Sequence, residues 1–214
     1  MKKLFALLIL LMAVSCTVTE ETHQYPAIYE KPFVTGESNG VPFAFKIDDT
    51  NLYYSQYSES YISTPNENAP YSFYYGMIVY SREVSPGFSV GPSYTVSFKN
   101  MQNCYIENEP DRFYQAFDHM PTNFITEVQF LNNIKGVEVS YWSPNAISYS
   151  TLDGSQSGSS MTITGRTRSR MPGGSLKTVI VRGTFKCKLY NHTDPTDVIA
   201  ITNGKFSITC QSYY

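Results

Sequence analysis

Apolar and polar residues alternate along most of the chain beyond residue 40. In "VPFAFKI" (41–47), Phe43, Phe45 and Ile47 alternate with smaller or charged neighbours, a period of two that is typical of a half-buried β-strand. The same alternation recurs in YSFYYGMIVY, SYTVSFKN, GVEVSYW, SMTITG, LKTVIVRGTFKCKLY, DVIAIT and GKFSITC. Gly, Pro, Asn and Asp separate nearly all of these segments, as turns require. The pattern predicts about nine or ten strands.

One segment, "NEPDRFYQAFDHMP", has the period of a short helix instead. Asn108 can cap it, Pro110 occupies the first turn, and Pro121 ends it. Many evenly spaced strands with one helix and no β-α-β alternation favour an all-β fold, an antiparallel β-sandwich with a barrel as the alternative. Four apolar residues lie on one helix face, which we expect to cover an end of the sheets: Phe113, Ala116, Phe117 and Met120.

The chain begins with a short apolar run that ends at Cys16. Two lysines precede eleven apolar residues (4–14), far fewer than the roughly 20 that a membrane-spanning helix needs. The length and charge fit a secretory signal. The residues "AVS" before the cysteine resemble the lipobox of bacterial lipoproteins, in which the cysteine is diacylated and becomes the first residue of the mature chain. The resemblance implies that residues 1–15 are a signal peptide and that Cys16 is lipidated.

The residues after the cysteine indicate where such a lipoprotein would reside. Thr17 rather than Asp follows Cys16, which by resemblance to the sorting rule of enteric bacteria implies the outer membrane. The acidic "TEETH" is similar to the tether that carries lipoproteins of the Bacteroidota to the cell exterior. We therefore expect a lipid-anchored outer-membrane protein that faces the periplasm or the exterior. Residues 16–35 are predicted to form the tether and residues 36–214 one β-sandwich domain.

The charge balance argues against a nucleic-acid partner. The leader removes two of the sixteen basic residues, so the mature chain carries fourteen against eighteen acidic residues, a net charge of about −4. Phosphate backbones call for a basic surface instead. The remaining 199 residues are enough for one domain with a sizeable core.

A second resemblance covers residues 136–210. The segments GVEVSYWS, GSQSGSSMTIT, RGTFKCKLYN and ITNGKFSITC are similar to the C-terminal half of small uncharacterised lipoproteins of the Bacteroidota. In those proteins a strand ending in G-T-F pairs with a closing I-T-x-G-x-F strand. The resemblance implies a β-sandwich and brings no active-site residues. Within these strands, Gly183 and Gly204 suit bends or turns.

Two cysteines in this region are predicted to face inward. Cys187 alternates in phase with Phe185, and Cys210 alternates in phase with Phe206. A disulfide is permitted outside the cytoplasm, so two interpretations remain open: a Cys187–Cys210 bond, or two buried thiols that pack as small hydrophobes. Cys104 makes three cysteines in the domain, so at least one thiol stays free.

The sequence contains no pattern that indicates catalysis, a cofactor or a metal site. Its three histidines are His23 in the tether, His119 near the helix end and His192 in a turn, and neither they nor the cysteines have metal-ligand spacing. "GSQSG" (154–158) has Gln156 where a nucleophile elbow requires serine, so we predict a flexible loop there. We expect a protein that is not an enzyme.

Aromatic residues provide the sharper binding hypothesis. Eight of the eighteen tyrosines fall between positions 53 and 80 and occupy both strand parities, so some must be exposed. Tyrosine and tryptophan are favoured at interfaces. We therefore predict Tyr57, Tyr61, Asn66 and Trp142 as ligand-binding residues for a polysaccharide or a surface protein. The alternative is that tyrosine populates these strands because of its β-propensity.

A basic stripe, Arg166, Arg168 and Arg170, alternates onto one strand face. It could meet an anionic polysaccharide or lipid headgroup, or it could protect a sheet edge from pairing.

Together these features predict a lipid-anchored cell-envelope protein with a non-catalytic binding or accessory role. A glycan-binding module of a polysaccharide-uptake system and a structural or adhesin-like subunit are the alternatives.

Overall fold

The computed structural model describes residues 30–46, 52–61, 71–81, 92–103, 112–170 and 177–211, and for 52–61, 71–81, 102–103, 112, 170 and 211 it describes the backbone alone. These ranges contain ten strands, two short α-helices and one 3₁₀ helix. The strands are β1 (Phe33–Ser38), β2 (Val41–Lys46), β3 (Leu52–Tyr61), β4 (Tyr71–Ser81), β5 (Ser93–Asn103), β6 (Gly136–Trp142), β7 (Ser148–Ser150), β8 (Ser160–Arg170), β9 (Lys177–Asn191) and β10 (Val198–Gln211). The helices are α1 (Arg112–Ala116), α2 (Glu127–Leu131) and the 3₁₀ helix (Thr151–Asp153).

The strands form one antiparallel sheet in the order β2-β1-β10-β9-β7-β6-β5-β4-β3, and β8 pairs with β9 beside this path. Within the described ranges no pairing joins the two end strands, β2 and β3. The sheet is therefore open. The predicted antiparallel, sandwich-like all-β fold is confirmed, and the barrel alternative is wrong.

The sheet folds back on itself around the three-residue strand β7. Phe43 on β2 stacks on Tyr94 of β5, with ring centroids 4.3 Å apart and planes 6° apart. Phe206 on β10 contacts the ring of Phe98 on β5 at 6.4 Å. Strand β10 also lies close to β3 and β4. The two halves of the sheet thus face each other as two layers, and the apolar core fills the space between them.

Two reciprocal glycine–phenylalanine pairs join β9 to β10. Phe206 lies opposite Gly183, and Phe185 lies opposite Gly204. A Cβ atom on Gly183 would stand 2.6 Å from the ring of Phe206, and one on Gly204 would stand 2.8 Å from the ring of Phe185. Each ring therefore covers the glycine on the opposite strand. Both glycines were expected at bends or turns. Gly183 instead lies within regular strand pairing and makes room for a ring, whereas Gly204 lies at a register shift that begins at Ile201.

The register of β9 and β10 also separates the two inward cysteines. Both are buried and free. Cys187 lies opposite Ile201, whereas Cys210 lies opposite Val179, eight positions away along β9, or roughly 26 Å at the rise of a strand. A disulfide requires Cα atoms within about 7 Å. The Cys187–Cys210 bond is therefore wrong, and burial raises the pKa of both thiols. Cys104 lies outside the described residues.

The folded domain begins before the predicted boundary at residue 36, since β1 starts at Phe33. Upstream of it, the Glu30 carboxylate accepts a hydrogen bond from Arg182 Nε on β9 at 2.9 Å and another from Ser207 Oγ on β10 at 2.6 Å. Arg182 Nη1 also donates to Thr167 Oγ1 on β8 at 2.9 Å. Glu30 is thus held across two strands, and these contacts were not visible in the sequence pattern.

The four residues of the predicted apolar face pack as expected, but helix α1 ends at Ala116, so Phe117 and Met120 lie beyond it. Phe113 and Phe117 are buried in the core, and Ala116 and Met120 pack against it. Tyr114, which the periodicity did not select, is also buried and donates from its hydroxyl to the carbonyl oxygen of Ser169 on β8 at 2.9 Å. The predicted cap Asn108 and Pro110 lie outside the described residues.

Gly183→Ala should lower the free energy of unfolding by about 1–3 kcal/mol, because the added methyl group would overlap the ring of Phe206 and the carbonyl oxygen of Thr162, which is 2.7 Å away. Denaturant unfolding followed by Trp142 fluorescence measures the change. Gly165→Ala is the matched control, since its Cβ would meet only Arg182 Nη1 at 3.7 Å. Equal losses in the two variants would contradict the covering role of Phe206.

Glu30→Gln should lower the free energy of unfolding by about 1 kcal/mol at neutral pH. The hydrogen bond from Arg182 holds the pKa of Glu30 below its usual value, against the opposing effect of burial. A pKa that is lower in the folded state contributes stability above the unfolded-state pKa, and that stability is lost as the pH falls through the folded-state pKa. Urea titrations across this acidic window should therefore show the two proteins converging. A constant difference would refute the role assigned to the Glu30 charge.

Candidate functional site

An elongated surface depression, here called the flank groove, lies between residues 118–128 and residues 152–166. It consists of three adjoining hollows of about 680, 310 and 870 Å³. The first and second share Phe124 and Gln156. The second and third share Thr122 and Met161. The shared residues place the three hollows next to one another on this surface.

One wall of the flank groove is fixed by a close contact at Gly136, the first residue of β6. A Cβ atom there would lie 2.1 Å from the side chain of Ile125, so only glycine lets residues 123–125 lie directly on the strand. The backbone N–H of Val137 donates to the carbonyl of Asn123 at 2.9 Å, and Phe124 forms a parallel bridge with Val137. This wall is therefore an added edge of β6.

The opposite wall is fixed by Gly154 and Gln156. Gly154 lies against the ring of Tyr190, where a Cβ atom would stand 2.5 Å from the ring, and the Tyr190 hydroxyl donates to the carbonyl of Ser155 at 2.6 Å. Gln156 Nε2 donates to the Lys188 carbonyl at 2.7 Å, and Gln156 Oε1 accepts from the Lys188 N–H at 3.2 Å. The side chain of Gln156 thus replaces a strand partner for β9. The loop at 154–158, which the sequence predicted to be flexible, is therefore held in place by Tyr190 and by Gln156.

Helix α2, which extends the first wall, was absent from the sequence prediction. Its signal was present, because Thr126 and Gln129 form a capping box. Thr126 Oγ1 accepts from the Gln129 N–H at 3.3 Å, and Gln129 Oε1 accepts from the Thr126 N–H at 2.9 Å. None of the residues of this helix is buried, and its apolar residues Val128 and Leu131 are exposed, so it lacks the apolar face that identified α1.

His192 and Asp153 form the charged end of the first hollow. His192 lies in the β9–β10 turn, as predicted, and its Nδ1 is 3.2 Å from Asp153 Oδ1. The His192 side chain is 64% exposed, whereas that of Asp153 is 15% exposed. Glu127 of α2 also lines this hollow. This end of the groove therefore contains two carboxyl groups and one histidine.

The turn that carries His192 is itself fixed by Tyr149 and Asp197. The Tyr149 hydroxyl donates to Asp197 Oδ2 at 2.7 Å, and this hydrogen bond, with burial, raises the pKa of Tyr149 to about 12. Asn191 Nδ2 donates to the same oxygen at 3.1 Å. The turn at this end of the groove is thus attached to the core through Tyr149.

The third hollow ends where two arginines hold α1 on β8. Arg166 Nη1 donates to the carbonyl oxygens of Phe117 and Asp118. Arg168 forms an ion pair with the Asp118 carboxylate at 3.0 Å and lies over the ring of Tyr114. Two members of the predicted basic stripe therefore bind the chain's own α1 end. The side chain of Arg170 lies outside the described residues.

The predicted ligand-binding residues lie away from the flank groove or outside the described residues. Trp142 is 39% exposed at the end of β6. On β3, Tyr57 lies in the same row across the sheet as Glu138, three strands and four positions from Trp142, or roughly 20 Å along the sheet. Tyr61 is still farther along β3, and the side chains of both tyrosines, like all of Asn66, fall outside the description. The register does not bring Tyr57 and Trp142 together, and their ligand-binding role stays a prediction.

Comparisons of this chain with protein-family models, with curated proteins and with solved structures found no match. In the part of the chain that the structure describes, no three His, Cys, Asp or Glu side chains come together as a metal site. None of the described helices has the length and apolar character needed to cross a bilayer.

Gln156→Ala should release the loop at 154–159, because the Lys188 backbone groups lose their hydrogen-bond partner. The free energy of unfolding should fall by about 1 kcal/mol. Hydrogen exchange measured by mass spectrometry should show faster exchange in this loop and at Lys188. Ser157→Ala is the matched control, since Ser157 is exposed and contributes only its backbone N–H to a hydrogen bond with Ser155. The role of Gln156 would be disproved by equal exchange in the two variants.

Proposed function

We propose that this chain is a lipid-anchored protein of the cell envelope that binds a ligand in the flank groove without transforming it. The observation that carries the proposal is that both groove walls are fixed before any ligand arrives. Gly136 and Gly154 allow the walls to approach the sheet, and Gln156 ties one wall to β9. A preformed site avoids the entropy cost of ordering loops on binding.

The lipid anchor is proposed from the leader and the lipobox-like residues before Cys16. Each buried methylene contributes about 0.8 kcal/mol, so two or three acyl chains would hold the protein on a membrane almost permanently. Thirteen residues separate Cys16 from Glu30, the residue tied to β9 and β10. Their covalent reach is at most roughly 45 Å. The groove would therefore remain close to the outer membrane, on its periplasmic or exterior side.

A binding role rather than catalysis is supported by how the groove uses its polar side chains. Ser159 Oγ donates to Gln156 Oε1 at 2.8 Å, and Ser155 Oγ accepts from the Ser157 N–H at 3.4 Å. These hydroxyl groups hold the loop in place. His192 is directed to a carboxylate, Asp153. The polar side chains of this wall therefore fix the shape of the groove, which suits recognition by a preformed surface.

Expression of the full chain with its leader in a Gram-negative host tests the anchor. The mature protein should begin at Cys16, carry acyl chains on that residue and partition into the detergent phase. Cys16→Ser should remain in the aqueous phase, because it offers no thiol for acylation. Mass spectrometry of the N-terminal peptide decides the matter. An unmodified Cys16, or residues 1–15 still attached, would refute the anchored part of the proposal.

A further inference from the structure

We propose that the flank groove binds a linear, uncharged glycan segment; this inference rests on the proposed function and specifies its ligand. The central hollow is lined mainly by residues with hydroxyl or amide side chains, Thr122, Asn123, Gln156, Ser159 and Ser160, with Phe124 and Met161 as apolar neighbours. Gln156 and Ser159 bind each other and β9, so Thr122, Asn123 and Ser160 are the polar residues proposed to contact the ligand. Sugars present hydroxyl groups around apolar ring faces. A lining of neutral polar groups with an aromatic side chain matches that chemistry.

The charges along the groove favour an uncharged ligand over an anionic one. Glu127 and Asp153 line the first hollow, and Asp118, whose carboxylate is paired with Arg168, lines the third. Three basic side chains also line the groove: Arg166 donates to two backbone carbonyls of the chain itself, His192 lies against Asp153, and His119 follows Asp118 in the third hollow. Carboxylates along a cleft repel a polyanion. The ligand should therefore carry no uronic acid, sulfate or phosphate groups.

The shape of the groove favours a chain of sugars over a single ring. Six consecutive residues of β8, 161–166, line the third hollow, which corresponds to roughly 17 Å of strand. The other two hollows continue beyond this length toward His192. A monosaccharide would contact only one of the three hollows, whereas a linear oligosaccharide could contact all three.

A peptide that adds a strand to β8 is the competing occupant, because β8 pairs only with β9 within the described residues. Three features of β8 oppose this. The register shift between Ile163 and Gly165 interrupts the ladder, the Ser169 carbonyl already accepts from Tyr114, and the Arg166 side chain reaches across to α1. Bulges and inward charges are devices that prevent strand addition. The geometry therefore favours the glycan.

The test is native affinity electrophoresis of the mature chain, residues 16–214 with Cys16→Ser, in gels containing a soluble neutral β-glucan, a soluble neutral mannan or polygalacturonate. At least one neutral polymer should retard the protein, and polygalacturonate should not.

Thr162→Trp, which fills the third hollow, should weaken retention about tenfold or more. Thr184→Trp is the matched control, because Thr184 is an exposed threonine opposite Thr162 on β9 that does not line the groove. Titration calorimetry with the matching monosaccharide and hexasaccharide should favour the hexasaccharide.

Each contrary result has a separate meaning. Retention by polygalacturonate alone, lost in Thr162→Trp, overturns the uncharged glycan and leaves the groove as the binding site. Equal retention of Thr162→Trp and Thr184→Trp by a neutral polymer overturns the groove and with it the proposed function. Retention by none of the three polymers, or equal affinity for monosaccharide and hexasaccharide, overturns the linear-glycan inference alone. Circular dichroism and denaturant unfolding of both variants verify that each one is folded.

Discussion

The packing of β9 against β10 through two glycine–phenylalanine pairs is the constraint on which the rest of the structure depends. Gly183 lies beneath Phe206, and Gly204 lies beneath Phe185. Each strand therefore supplies one glycine, which leaves space for a ring, and one phenylalanine, whose ring covers the glycine of the other strand. Phe206 then contacts Phe98 on the opposite layer. The same ring therefore fixes the register of two neighbouring strands and brings the two halves of the sheet together, because an interior packed this closely leaves no space for an alternative position.

Strand β9, which this packing fixes, also positions the groove. Beyond Phe185, its residues Lys188 and Tyr190 hold the loop that forms one groove wall. Its last residue, Asn191, shares Asp197 with Tyr149 and so fixes the turn that carries His192. The groove is consequently an extension of the core, and its walls are rigid for the same reason that the core is. Because a rigid site already has its binding shape, only the proposed ligand would lose conformational freedom on binding.

Charged side chains serve mainly to attach peripheral segments to this frame. Arg182 holds Glu30 at the entrance of the domain, and Arg168 with Arg166 holds the end of α1 on β8. Pairs of this kind contribute little stability individually when they are exposed. Their value here is positional, because they set where the chain enters the domain and where the groove ends. The lining of the flank groove combines neutral hydroxyl and amide side chains with apolar ones, and its carboxylates lie in the first and third hollows.

The sequence by itself determined the strands, the inward face of β9 and β10 and the apolar residues around α1, because each of these is a local pattern with a period of two or about four residues. Only the tertiary structure decided that Cys187 and Cys210 lie too far apart to bond, that Arg166 contacts α1 and that Gln156 forms a groove wall. Alternation tells which face a residue occupies but not its position along the neighbouring strand. That position is set by long-range packing, such as the fit of Phe206 over Gly183, which has no signature in local periodicity.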